Sequence, residues 1–178
     1  MIKAIAIAGI LIAVAVAAVL IYAATKPDSF RIERSALIKA PPEKIFAQVN
    51  ELKAWAAWSP WERIDPAMKR TFSGPGAGKG AAYAWEGNKD VGSGRMEIIE
   101  SVAASRIAIK LDFLKPFEAH NTAEFSFARQ GEATTVTWAM YGPSPYMSKL
   151  IGLVLNMDRM VGGQFETGLA NLKTIAEK

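Results

Sequence analysis

The chain has no cysteine, which excludes disulfides, thiolate metal sites, iron–sulfur clusters and cysteine nucleophiles. It has one histidine, His120, so a metal centre built on two imidazoles is excluded, as is any Ser-His-Asp triad that does not use it. No block of like charge is present either. The 21 Lys plus Arg and 17 Asp plus Glu residues are interspersed, which argues against a nucleic-acid partner. Disorder and fibrous repeats are excluded by 51% apolar residues, 21% charged residues, 14 Gly and 9 Pro. The 178 residues suffice for one ordinary domain plus a short extra segment.

What is present begins with a hydrophobic run. Ala4 to Ala24 is 21 residues without charge, Pro, Asn or Gln, bracketed by Lys3 and Lys26. At about 1.5 Å per residue it crosses a hydrocarbon core of about 30 Å. A cleaved signal peptide is the rival reading, but the run exceeds an h-region of about 7 to 15 residues, and Val19-Leu20-Ile21-Tyr22 is bulky where a peptidase needs small side chains. The expectation is therefore an uncleaved single-pass anchor over residues 1–25, with a ligand-binding domain over 26–178. Lys26, Arg31, Arg34 and Lys39 flank one end of the run, and the side occupied by the domain stays open.

After the joint at Pro27, Phe30 to Lys39 alternates as a strand does. Pro41-Pro42-Glu43 opens a helix predicted to reach about Trp55, and Trp58-Ser59-Pro60-Trp61 breaks the helical pattern. Strands are then predicted over Met68–Ser73, Gly80–Glu86, Gly92–Ser101, Ser105–Phe113, Phe117–Gln130 and Glu132–Tyr141, an antiparallel meander. Ile107, Ile109, Leu111 and Phe113 share one parity, as do Val136, Trp138 and Met140, so one sheet face is buried. Pro145 to Lys178 returns to helical period, with Met147, Leu150, Val154, Met157, Val161, Phe165 and Leu172 on one stripe. Gly162-Gly163 and Gly168 mark a bend or a close backbone approach in that helix. The expected fold is α+β, a curved antiparallel sheet of about seven strands around a long C-terminal helix, plus the N-terminal transmembrane helix.

Gly74-Pro75-Gly76-Ala77-Gly78-Lys79-Gly80 invites comparison with a phosphate loop and fails it. Three residues instead of four precede Gly78-Lys79, no Ser or Thr follows, and the next segment is a strand. A hairpin turn is the reading. Five Trp in a small domain are a heavy aromatic load. Trp138 and Phe46 read first as plain core. Trp58, Trp61, Trp85, Phe113 and Phe117 are expected to line the mouth of an apolar hollow between sheet and helix, with Met96, Trp138, Met140, Met157, Val161 and Phe165 completing the ligand-binding set. Ionisable candidates are sparse: Asp158, Glu166 and Tyr83 are the only proton handlers to name, and His120 takes the parity opposite Phe125 and Phe127 and faces solvent. Neither a metal nor a cofactor is expected.

The run Arg34-Ser35-Ala36-Leu37-Ile38-Lys39-Ala40-Pro41-Pro42-Glu43-Lys44-Ile45-Phe46, the Trp58-Ser59-Pro60-Trp61 break, Val91-Gly92-Ser93-Gly94-Arg95-Met96 and Gly168-Leu169-Ala170-Asn171-Leu172-Lys173 together resemble the polyketide cyclase/dehydrase group of the START-like, or SRPBCC, helix-grip superfamily. The resemblance covers about Phe30 to Ala176. It implies the helix-grip fold and a deep apolar cavity between sheet and C-terminal helix, used across the superfamily for lipids, sterols, polyketides and aromatic substrates. Some members are cyclases or hydratases, and many are binding or transfer modules. No catalytic set carries over to positions of this chain. The leading expectation is thus a membrane-anchored domain that binds a hydrophobic small molecule or lipid. The alternatives are a cyclase or dehydratase using the same cavity, and an interaction module with a filled core whose partner protein the residues do not name.

Overall fold

The computed structural model describes residues 2–178; Met1 of the expected anchor segment lies outside the described residues. Two compact units are present. One comprises the chain up to Phe30 together with Pro143–Met157, the other Arg31–Gly142 with Asp158–Lys178.

The first unit holds two helices, α1 (Ile2–Ala24) and α5 (Tyr146–Val154). α1 contains no proline, and its 20-residue stretch Ile5–Ala24 is long and apolar enough to cross a membrane. Its C-terminal end is closed by Thr25, whose hydroxyl donates to the Tyr22 carbonyl at 2.8 Å. Three bonds tie α5 to that end. The Tyr146 hydroxyl donates to the Leu20 carbonyl at 3.0 Å, the Ser144 N–H donates to the Asp28 carbonyl at 2.7 Å, and the Lys149 ammonium pairs with the Asp28 carboxylate at 2.6 Å.

The larger part of the chain builds a seven-stranded sheet in the order β1-β7-β6-β5-β4-β3-β2. The strands are β1 (Ser29–Ile38), β2 (Lys69–Ser73), β3 (Ala82–Glu86), β4 (Ser93–Val102), β5 (Arg106–Lys115), β6 (Ala119–Gln130) and β7 (Ala133–Pro143). From β2 to β7 every neighbouring pair is antiparallel, as the predicted meander requires. A bulge between Ile98 and Glu100 bends β4 against β5, which leaves Ile99 exposed. Because β1 lies at one edge and β2 at the other, the chain between them must cross the sheet. It does so on the inner face, as α2 (Pro42–Asn50), a 3-10 turn (Leu52–Ala54), α3 (Trp55–Trp58) and α4 (Trp61–Ile64). The single helix expected from Glu43 to Trp55 is thus three pieces. α2 stops at Asn50 because Glu51 turns extended.

α6 (Met157–Ala176) covers the same face. The one long helix expected from Pro145 to Lys178 is interrupted at Leu155, which is extended, and not at its glycines. Gly162 and Gly168 allow close approach instead. A Cβ on Gly162 would collide with the Arg34 guanidinium, and one on Gly168 would lie 2.7 Å from Trp138 Cζ3. In the interior Ile38, Ile45, Val49, Ile98, Ile107, Ile109, Phe125, Val136 and Leu172 have no solvent exposure. Burying a side chain of this size stabilises by about 1.5–3 kcal/mol, so these residues carry the fold.

Candidate functional site on the concave sheet face

Strand register places the inner-face side chains in rows. Trp85, Gly94, Phe113 and Ala119 form one row across β3 to β6, and Tyr83, Met96, Leu111 and Asn121 form the next. Ala123 and Met140 pair on the neighbouring β6–β7 row. A Cβ on Gly94 would overlap the Trp85 ring, so glycine there lets the indole lie flat on β4. The edge of Trp85 meets Phe113 at 5.9 Å between ring centres.

Burial is graded along this face. Trp85, Met96 and Met140 retain 8%, 6% and 8% exposure, and Leu111, Phe113 and Asn121 are half-buried. Apolar side chains that are only partly covered on a concave surface form the kind of lining that ligand sites use. Asn121 adds a polar group, and a Cβ on Gly142 would collide with its Oδ1. The expectation missed Asn121, although its parity with Ala123, Phe125 and Phe127 places it on the inner face.

Other expected lining residues are core. Trp138 lies between Phe125, at 4.8 Å, and Phe165 of α6, at 4.3 Å, in a three-ring stack that runs from sheet to helix. Trp55, Trp58 and Trp61 meet Trp138 edge-on at 6.1, 5.5 and 5.6 Å. Trp58 is fully buried, donates Nε1–H to the Gln48 carbonyl at 3.1 Å and receives the Asn171 amide on its own carbonyl. The space below the middle of α6 is therefore filled by the protein's own aromatics. Trp58, Trp138 and Phe165 form the back wall of the concave face and not a mouth, because aromatic burial is worth more in a packed stack. Trp61 and Val161 are half-buried at its margin. Trp138 Nε1 is buried without a hydrogen-bond partner in the structure.

Two expected lining residues lie elsewhere. Phe117 is 74% exposed at the tip of the β5–β6 hairpin, because the strands end at Lys115 and Ala119 and the turn between them projects outward. Met157 is exposed and belongs to the first unit.

The proton-handler candidates are engaged in ion pairs and hydrogen bonds. Arg34 Nε donates to Glu166 Oε1 at 2.7 Å, and its two terminal nitrogens grip Asp158 at 3.1 and 2.9 Å. Hydrogen bonding from Arg34 holds the Asp158 carboxyl below its usual range. Asp158 and Glu166 are exposed clamps joining β1 to α6. Tyr83 lies on the concave face, where its hydroxyl donates to Glu62 Oε1 at 2.7 Å. Arg70 Nε occupies Glu62 Oε2, also at 2.7 Å. Burial, reinforced by Glu62, pushes the Tyr83 phenol well above its ordinary range, so it stays protonated at neutral pH. Glu62 and Arg70 were not foreseen. Arg70 shares parity with Phe72 in its strand, but Glu62 sits on a one-turn helix too short to show a period.

His120 faces solvent and pairs with Asp112 at 2.7 Å and with Glu118 at 3.3 Å. Among the described residues no group of three or more His, Asp or Glu side chains could hold a metal ion. A surface groove of about 130 Å³ lies where Leu52 and Phe72 meet the Gly74-Pro75-Gly76 turn. It is well below the roughly 300 Å³ at which ligand pockets begin. That glycine segment is a turn between β2 and β3, as expected, with Gly74, Gly78 and Gly80 at positive φ.

With this geometry in place, comparison with known proteins identifies the class. Residues 29–177 match the family described as polyketide cyclase / dehydrase and lipid transport. The chain belongs to that family, and its fold is the helix grip. Solved structures share the fold. Protein CV1439 from Chromobacterium violaceum is 14% identical, with 86% of this chain and 99% of that one aligned at a TM-score of 0.59. The di-domain ARO/CYC BexL of the BE-7585A biosynthetic pathway is 15% identical, with 89% of this chain aligned to 53% of that one at 0.63. The Aha1 dimer from Colwellia psychrerythraea is 16% identical, with coverages of 83% and 96% at 0.57. No curated protein matches the chain.

Proposed function

We propose that this protein is a membrane-anchored binding domain that holds a hydrophobic small molecule or lipid against the concave sheet face, at half-buried Leu111 and Phe113 and the buried Trp85, Met96 and Met140 beside them. The graded burial of that face carries the reading. The interior is solid from Phe125 to Phe165 and incompletely covered at Leu111, Phe113 and Asn121. A ligand covering those side chains removes apolar area from water at about 25 cal/mol per Å², less the cost of association. Asn121 is the group available for selectivity. α1 is long and apolar enough to span the bilayer, and anchoring beside the membrane suits a ligand drawn from it.

The family description also names cyclases and dehydrases, and the Glu62–Tyr83 pair is the observation that favours chemistry. It favours it weakly, because each oxygen of Glu62 already accepts a hydrogen bond, Oε1 from Tyr83 and Oε2 from Arg70, so the carboxylate is engaged in holding its neighbours.

The test compares co-purifying small molecules. Wild-type full-length protein and a Leu111→Gln variant, each extracted in the same detergent, are analysed by mass spectrometry after matched thermal melts. Bulk lipid cancels between them. A species enriched at least about fivefold in the wild type, the effect of roughly 1 kcal/mol, supports the site. Identical extracts would remove it.

A further inference from the structure

We infer that α5 lies in the membrane interface beside α1, so that the chain engages the bilayer through two elements instead of one. The inference rests on the reading of α1 as a membrane-spanning helix. It starts from what α5 presents outward. Met147, Ile151 and Val154 fall at i, i+4 and i+7 on one stripe, exposed by 66%, 38% and 86%, and Leu155 continues the stripe just past the helix end. Beside them the exposed positions are Tyr146, Ser148 and Gly152.

The helix has one charged residue, Lys149. Its side chain is only 8% exposed, with the ammonium on Asp28 at 2.6 Å. A surface helix in water turns its charged side outward and its apolar stripe inward, whereas α5 covers its one charge and leaves Met147, Ile151 and Val154 exposed, with Leu150 and Leu153 half-buried on its other side. A medium other than water therefore meets its outer face.

The contacts to α1 identify that medium. The Tyr146 hydroxyl reaches the carbonyl of Leu20, four residues before α1 ends at Ala24, about 6 Å along the helix axis. At about 1.5 Å per residue the 20-residue stretch Ile5–Ala24 fills the hydrocarbon core, so α5 begins at the depth where the anchor leaves it. Tyr22, Tyr146 and Lys26 gather there, with the Lys26 ammonium 4.3 Å from the centre of the Tyr22 ring and on its hydroxyl at 2.8 Å. Aromatic rings and lysines at that level are the usual furniture of a membrane–water boundary. An amphipathic helix lying there sinks its apolar face about 5–10 Å, which accommodates Met147, Ile151 and Val154. The occupant is thus a phospholipid bilayer surface, continuous with the one that surrounds α1.

The absence of native cysteine makes the test direct. Single variants Val154→Cys, Val14→Cys and Glu132→Cys of the full chain, each labelled with an environment-sensitive fluorophore, are reconstituted into phosphatidylcholine–phosphatidylglycerol vesicles. The vesicles carry nitroxide lipids with the quencher either near the headgroup or deep in the acyl chain. The expected result is a blue shift and preferential shallow quenching at Val154, deep quenching at Val14 in mid-α1, and neither at Glu132 in the β6–β7 turn. Quenching at Val14 with a water-like, unquenched Val154 overturns the interfacial helix and leaves the anchor standing. An unquenched Val14 overturns the anchor itself, and the inference falls with it.

Discussion

Gly168 of α6 packs directly on the indole of Trp138, where an added Cβ would lie 2.7 Å from Cζ3 and 3.2 Å from Pro60 Cδ. The indole is held on its other face by Phe125, so it cannot retreat. Gly168→Ala should destabilise the domain by about 1 kcal/mol, since overpacking costs about 1–3 kcal/mol and the helix regains about 1 kcal/mol in propensity. Gly163, five residues earlier, has nothing within 4 Å of its would-be Cβ. Gly163→Ala should therefore stabilise by up to about 1 kcal/mol. Paired thermal melts check both signs, and equal shifts in the same direction would refute the packing argument.

Tyr83 should ionise well above the ordinary tyrosine range, because burial and the Glu62 carboxylate both oppose the phenolate. Absorbance titration should show one step displaced above the ordinary tyrosine range of about 10, and that step should vanish in Tyr83→Phe. Removing the hydroxyl also leaves Glu62 Oε1, on a side chain only 9% exposed, without its donor. The expected loss is about 1 kcal/mol of stability, with ligand retention unchanged if the phenol serves structure only.

The Arg34 clamp predicts a pH effect of definite sign. Hydrogen bonding by Arg34 depresses the Asp158 carboxyl in the folded protein. Its contribution to stability is therefore present above the unfolded value of about 3.9 and is lost as pH falls through the lower folded value. Both acids are exposed, so the energy is that of a screened surface pair, and the titration is the better readout. In Arg34→Gln the Asp158 carboxyl resonance should titrate at higher pH than in the wild type.

The order of elements was legible because it rests on periodicity. Alternation in β1, β5 and β7 and the turn residues between strands determine the meander and its buried face. The break between α5 and α6 was not legible. Leu155-Asn156 contains neither Pro nor Gly, and the stripe from Met147 to Leu172 keeps helical spacing across it, so a two-residue interruption leaves no mark on the period. The stripe also misled about what it faces: Met147 and Val154 are strongly exposed, and periodicity does not say which apolar faces are covered. The concave surface was partly legible through Trp85, Met96, Phe113 and Met140. Which aromatics are filler and which are lining depends on ring contacts between distant segments, such as Trp58 with Trp138, and spacing along the chain does not encode them. Glu62 and Arg70 meet through a short connection whose geometry is set by Pro60 and the β2 edge, beyond the reach of any repeat.

His120 supplies the remaining pH-dependent signal. It stands opposite Asp112 in the β5–β6 register, bonded to it at 2.7 Å, with Glu118 at 3.3 Å on the other ring nitrogen. The Asp112 hydrogen bond is the main cause that raises the imidazole above its ordinary value. Burial pushes the Asp112 carboxyl up, yet bonds from His120 and Lys110 outweigh it and leave it lowered. Stability from the protonated pair is therefore fully present below about pH 6.5, the unfolded value, and is lost as pH rises through the higher folded value. As the only histidine, its ring protons give a single NMR titration. The midpoint should lie above 6.5 in the wild type and move down in Asp112→Asn. A smaller downward movement should follow Glu118→Gln, whose partner is longer and more exposed. Equal effects from the two variants would show that proximity to charge, and not the Asp112 hydrogen bond, sets the shift.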